Sequence, residues 1–163
     1  MALEYPELLG ILAEEVEKPQ VLEVPLSPPD PGGPNILCIY TGYTLGSFKG
    51  KSKGWTRGKL RFPYHPPVVP SWTGGRKWTN NASRGPGWTL FMGGTAMMAL
   101  ASVYNAGTAV NAGWAVDAAW LHILPQSVTS DEYLQIRGLV AVGDTDGCLY
   151  RLSYQATVLG RTL

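Results

Sequence analysis

The chain has little from which to build a metal centre or a disulfide framework. Two cysteines, Cys38 and Cys148, and two histidines, His65 and His122, are all it holds in 163 residues. Both cysteines fall in segments that read as strands, where a thiol packs as a small hydrophobe. His122 lies between Leu121 and Ile123 on an apolar strand, and His65 lies in the loop Tyr64-His65-Pro66-Pro67. No metal ligand set and no cofactor are expected.

Charge is scarce as well. Asp, Glu, Lys and Arg make up 15% of the chain, against roughly a quarter in ordinary domains. Beyond the first thirty residues the carboxylates are only Asp117, Asp131, Glu132, Asp144 and Asp146. Paired carboxylates for acid/base work are therefore hard to assemble. An Asp117–His122 pair would face opposite sides of a regular strand, which argues against a dyad. The run Gly46-Ser-Phe-Lys-Gly50-Lys51-Ser52 is one residue short of a phosphate-binding loop, and the glycine-rich sequence after it does not start a helix. Asp144-Thr-Asp146-Gly147 lacks the further oxygen ligands of a calcium loop and reads as a turn. An enzyme is not expected.

Long apolar helices are missing too. Gly85 to Val116 carries no charge, but glycines and Pro86 interrupt it, and it reads as buried β-structure rather than a membrane span. Met1 to Gly10 has acids and no basic start, so it does not read as a secretory signal. Synthesis in a cytoplasm is expected.

What is present is a charge split. Between Lys49 and Arg84 stand nine basic residues and no acid: Lys49, Lys51, Lys53, Arg57, Lys59, Arg61, Arg76, Lys77 and Arg84. Trp55, Phe62, Tyr64, Trp72 and Trp78 are interleaved with them. The first thirty residues carry seven acids against Lys18 alone. Leu3, Leu8, Leu9, Ile11, Leu12 and Val16 recur near helical spacing, with Glu4, Glu7, Glu14, Glu15 and Glu17 on the other face. A helix over 3–17 is predicted, ended by Pro19. Ser27-Pro-Pro-Asp-Pro-Gly-Gly-Pro34 reads as a semi-rigid linker.

From Ile36 onward the chain reads as β. Strands are predicted at Ile36–Leu45, Lys59–Phe62, Trp88–Met92, Ala96–Tyr104, Ala109–Leu124, Leu134–Val142 and Cys148–Leu159, with a buried helix as the alternative for Ala96–Tyr104 and a short extended segment before them at Val21–Leu26. Within Ala109–Leu124, Val116, Ala118, Trp120, His122 and Leu124 are placed on one face. Gly143 to Gly147 is a hairpin signature joining the last two strands, with Cys148, Tyr150, Leu152, Tyr154, Ala156 and Val158 on one side. The last strand is expected inside its sheet. The predicted organisation is an acidic helical arm and Pro-rich linker over 1–34, followed by a β-sandwich or jelly-roll-like domain over 35–163, with a long basic loop at 46–87.

Arms and loops on a lightly charged β-body are devices by which subunits hold one another. The function expected is that of a structural subunit in a homo-oligomeric assembly. The setting expected is a bacteriophage or viral particle, as a capsid-decorating, minor capsid or tail component. Its partners would be further copies and other assembly proteins, with no membrane. The partner-binding set comprises Lys49, Lys51, Lys53, Trp55, Arg57, Lys59, Arg61, Trp72, Arg76, Lys77 and Trp78. The arm contributes Leu8, Leu9, Ile11, Leu12, Glu14 and Glu15. The alternative is a glycan- or nucleic-acid-binding module, with cations on phosphates and Trp faces on bases or sugars.

Overall fold

A computed structural model describes residues 14–15, 19–30, 33–47, 55–62, 71–104, 114–125, 132–143 and 149–163. They are mostly β. The strands are β1 (Glu14–Glu15), β2 (Gln20–Asp30), β3 (Gly33–Ser47), β4 (Trp55–Phe62), β5 (Lys77–Thr79), β6 (Trp88–Tyr104), β7 (Trp114–Pro125), β8 (Glu132–Gly143) and β9 (Leu149–Thr162). A 3-10 turn, Ser71–Thr73, precedes β5.

Two sheets form. In the larger, β3, β9, β6 and β5 are neighbours in that order, and β1 and β2 pair in tandem with β3. The smaller runs β4-β8-β7. All pairs are antiparallel except β5 with β6. The inward residues of both sheets join one cluster: Cys38 and Tyr40 of β3, Leu152, Tyr154, Ala156 and Val158 of β9, and Ala96 and Met98 of β6, with Leu60, Phe62, Ile123, Leu134, Ile136 and Val140 of the smaller sheet. The alternation predicted for the last strand thus sets its buried face, and β9 lies between β3 and β6 as expected.

Several sequence expectations change. The helix predicted over 3–17 falls outside the described residues except at Glu14–Glu15, which are extended and lie opposite Leu45 and Thr44. The proline-rich stretch read as a linker lies partly in paired strands: β2 pairs with β3 from Gln20↔Thr41 to Leu26↔Asn35 and, after a register shift, at Asp30↔Gly33, while Pro31 and Gly32 lie outside the described residues. Proline is tolerated there because, among the described residues, β2 has a neighbour on one side only, and the register shifts between Leu26 and Asp30. This pairing spans the expected boundary at residue 34. The 46–87 segment is interrupted by β4, the 3-10 turn and β5.

The last two strands do not pair with each other. β8 is flanked by β4 and β7, and β9 by β3 and β6. A strand has two edges only, so β8 and β9 form no ladder with each other, and residues 144–148 of the expected turn lie outside the described residues. The two strands predicted over 88–104 are one, β6, bulged between Phe91 and Gly93 and between Leu100 and Ser102. No described helix is long and apolar enough to cross a membrane.

Candidate interaction surfaces

Among the described residues the basic segment does not form one surface. Trp72 and Trp78, expected to face a partner, are each 1% exposed and belong to the core. Trp72 packs edge-on to Tyr40 and Tyr154, at ring centroids 5.3 and 5.8 Å, and lies 5.8 Å from Phe62. Trp78 donates its indole N–H to the Tyr40 hydroxyl at 3.1 Å. Burial, with the Cys38 thiol next in importance, pushes the Tyr40 phenol far above its ordinary range. Burial likewise raises the Cys38 thiol, leaving it inert at neutral pH. A large aromatic ring gains more from burial than from solvent, and that outweighs the basic neighbours in sequence.

Arg76 shows the charge split closing within one chain. Its Nε donates to Glu23 Oε1 at 2.9 Å, and its Nη2 lies 2.8 Å from Glu23 Oε2. Its Nη1 donates to Thr89 Oγ1 at 2.8 Å. The Glu23 hydrogen bond raises the guanidinium pKa further, against the opposing effect of burial. Glu23 is 41% exposed, so solvent screening holds this ion pair to about 1 kcal/mol or less. Its role is to fasten β2 to the turn before β5, where Gly74 and Gly75 have φ of 64° and 84°.

Lys77 and Arg84 flank the Trp88 indole, with Nζ 5.6 Å and Cζ 4.4 Å from its centroid. Each such contact contributes about 0.5–1 kcal/mol at an exposed site. Trp88 gives no signal in sequence beyond its aromatic type.

Lys59 and Arg61 stand on the outer face of the smaller sheet, because Leu60 and Phe62 point inward. Arg61 pairs with Arg137 across β4 and β8, and Arg137 pairs with Trp120 across β8 and β7. Arg61, Arg137 and Trp120 are therefore one register row. Beside it, His122 lies opposite Gln135, whose Oε1 accepts from Arg137 Nε at 2.8 Å. Trp120 is 38% exposed and Gln135 only 1%.

A bulge at Asp117 creates this face. Val116 pairs with Val140 and Ala118 with Leu139, so Asp117 is the extra residue. Val116, Ala119 and Leu121 pack on the core, and Ala118, Trp120 and His122 face away from it. Val116 was expected on the same face as Trp120. An inserted residue reverses the alternation, which a regular period of two cannot anticipate.

Partial burial, and then the charge of Arg137, lower the His122 pKa below 6.5. Burial raises the Tyr133 pKa, and Arg137 and Arg61 oppose that rise. The cationic field therefore reaches side chains on β7 and β8. Because the unfolded chain holds more protons on His122, stability is full above pH 6.5 and falls as pH drops through the lower folded value. An NMR titration, assigned with His65→Gln, is expected to give a His122 midpoint below 6.5. Arg137→Gln is expected to move that midpoint upward; no movement would show that the arginine's field does not reach the ring.

Of the other expected contact residues, Lys49, Lys51 and Lys53 lie outside the described residues, as do Leu8, Leu9, Ile11 and Leu12. Trp55 and Arg57 are placed in β4 by their backbone, opposite Gly143 and Ala141. Gly50-Lys51-Ser52-Lys53-Gly54 has the spacing of a nucleophile elbow, which requires a following helix. Here strand β4 follows, starting at Trp55.

Among the described residues β2 is an edge of the larger sheet, with Leu22, Val24 and Leu26 on one face and Val21 beside Glu23 on the other. In β2, Val21, Leu22, Val24 and Leu26 are all exposed, Leu22 by 56%. Val21 packs against the turn at Gly74, 3.1 Å from the position a Cβ would take there.

No family model, no curated protein and no solved structure matches this chain.

Proposed function

We propose that this chain is a non-enzymatic structural subunit of a homo-oligomeric assembly, in which β2 joins a second copy. The observation that carries the reading is the exposed edge run Val21-Leu22-Glu23-Val24-Pro25-Leu26. A long apolar edge strand is a template for another strand unless it is blunted by charge. The one acid in this run is already held by Arg76. Antiparallel pairing of β2 with its copy across a two-fold axis would extend the sheet and set apolar side chains of both strands side by side. Pro25, unable to donate, restricts the register.

Two facing sheets around one core support reading the body as a β-sandwich of jelly-roll type, with the acidic residues before β2 as an arm towards neighbours. The setting we propose is a bacteriophage or viral particle, as a decoration, minor capsid or tail component, with its place in the virion.

Leu22 is a surface residue, so Leu22→Lys is expected to leave the melting temperature nearly unchanged. It should weaken self-association at least about tenfold, read by sedimentation velocity over a concentration series, because a buried ammonium must be desolvated. A wild-type protein that stays monomeric, or a variant that associates like wild type, would overturn the reading.

A further inference from the structure

We propose that the outer face of the three-stranded sheet binds single-stranded nucleic acid, with Arg61 and Arg137 on the phosphates and Trp120 stacked on a base.

Three separated segments converge to make this face. β4 supplies Lys59 and Arg61, β8 supplies Arg137, and β7 supplies Trp120 and His122. Adjacent strands lie about 4.8 Å apart, so the row Arg61, Arg137, Trp120 spans roughly 10 Å. Two guanidinium groups side by side suit a run of phosphates, and an exposed indole at the end of the row suits an unstacked base.

The face is also organised. Gln135 is almost wholly buried and accepts from Arg137 Nε, which fixes the plane of that guanidinium. Orienting an arginine through a buried amide is how a binding group is held before its ligand arrives. The bulge at Asp117 is the second device. Without it, continued alternation from the inward Val116 would turn Trp120 and His122 towards the core. Bulges re-aim side chains at functional sites, and this one turns a Trp and a His outward beside an arginine.

The chemistry separates this ligand from others. A neutral glycan would use Trp120 but has no need of paired arginines. Stacking on Trp120 requires a base free of its neighbours, which a closed duplex does not offer. Among the described acids, Glu23 is held by Arg76 and Glu132 accepts from the Asn80 amide.

The test is fluorescence anisotropy of a labelled oligothymidylate with the full chain across a salt series. Wild type is expected to bind, with affinity falling steeply as salt rises. Arg61→Gln and Arg137→Gln should each weaken binding about tenfold and flatten the salt dependence. Trp120→Ala should also weaken it about tenfold but leave the salt slope unchanged, and Trp120→Phe should retain most of the affinity. Melting temperatures of the variants confirm that they fold. Leu22→Lys should bind like wild type, so this inference stands or falls apart from the assembly reading. No binding at low salt overturns it. So does binding that is indifferent to Trp120→Ala, or a loss of self-association in Arg137→Gln without oligonucleotide binding by wild type. That last result would assign the face to a neighbouring copy.

Discussion

Trp72→Ala is expected to destabilise the protein by about 3–5 kcal/mol, the usual cost of deleting a large buried aromatic side chain. Trp72 is 1% exposed and contacts three further rings, Tyr40, Phe62 and Tyr154, contributed by β3, β4 and β9. Those strands belong to both sheets, so the indole fills space where the sheets meet. Removing it leaves a cavity that the stiff flanking strands cannot collapse to fill. For a domain of this size each kcal/mol moves the melting temperature by roughly 2–4 °C, which predicts a fall of about 6–20 °C. A surface Trp serving a ligand would shift stability by about 0.5 kcal/mol or less. Thermal or urea unfolding therefore separates the two roles directly. Trp72→Phe should cost much less, because it keeps a ring and removes an indole N–H that has no hydrogen-bond partner among the described residues.

Gly160→Ala is the second large effect, expected to destabilise by about 1–3 kcal/mol although it adds a single methyl group. Gly160 sits in β9 between Ile36 of β3 and Phe91 of β6. The Trp78 ring lies over it. A Cβ at this position would stand 2.5 Å from Trp78 Cζ3 and 2.6 Å from Thr89 Cγ2. The indole cannot swing aside freely, since its N–H is bonded to Tyr40 and its ring packs edge-on to Phe91. The methyl group must displace the ring or part the strands. Urea unfolding of Gly160→Ala measures the cost. An unchanged midpoint would show that Trp78 has room to move, and Trp78→Phe combined with Gly160→Ala should recover part of the loss.

The β9 strand was readable from sequence because its alternation is unbroken: Leu152, Tyr154, Ala156 and Val158 are buried, and the residues between them are not. β7 was half readable. Its residues are β-formers, but one inserted residue at Asp117 reverses the phase, and nothing in the local composition announces it. The same holds for the interaction face. Lys59 and Arg61 stood out as part of a basic run, whereas Arg137, Trp120 and His122 are distant in sequence and join them only through pairing. Trp72 and Trp78 misled in the opposite direction, because neighbouring cations made buried rings resemble a stacking surface.

Alone, the sequence determined that the described chain is mostly β, where its strongest strands run and which face of β9 is apolar, since these follow from side-chain period and propensity within a few residues. It also determined that charge is separated along the chain. Tertiary structure decided the rest. Which strands neighbour one another, that β8 and β9 part into different sheets, that Glu23 meets Arg76, and that two arginines and a tryptophan share a row are all set by long-range pairing. A strand carries two edges with nearly uniform hydrogen-bonding groups, so local residues name a strand well and its partner poorly. Burial of both inner faces around one core then selects the pairing, and that selection is a property of the whole chain.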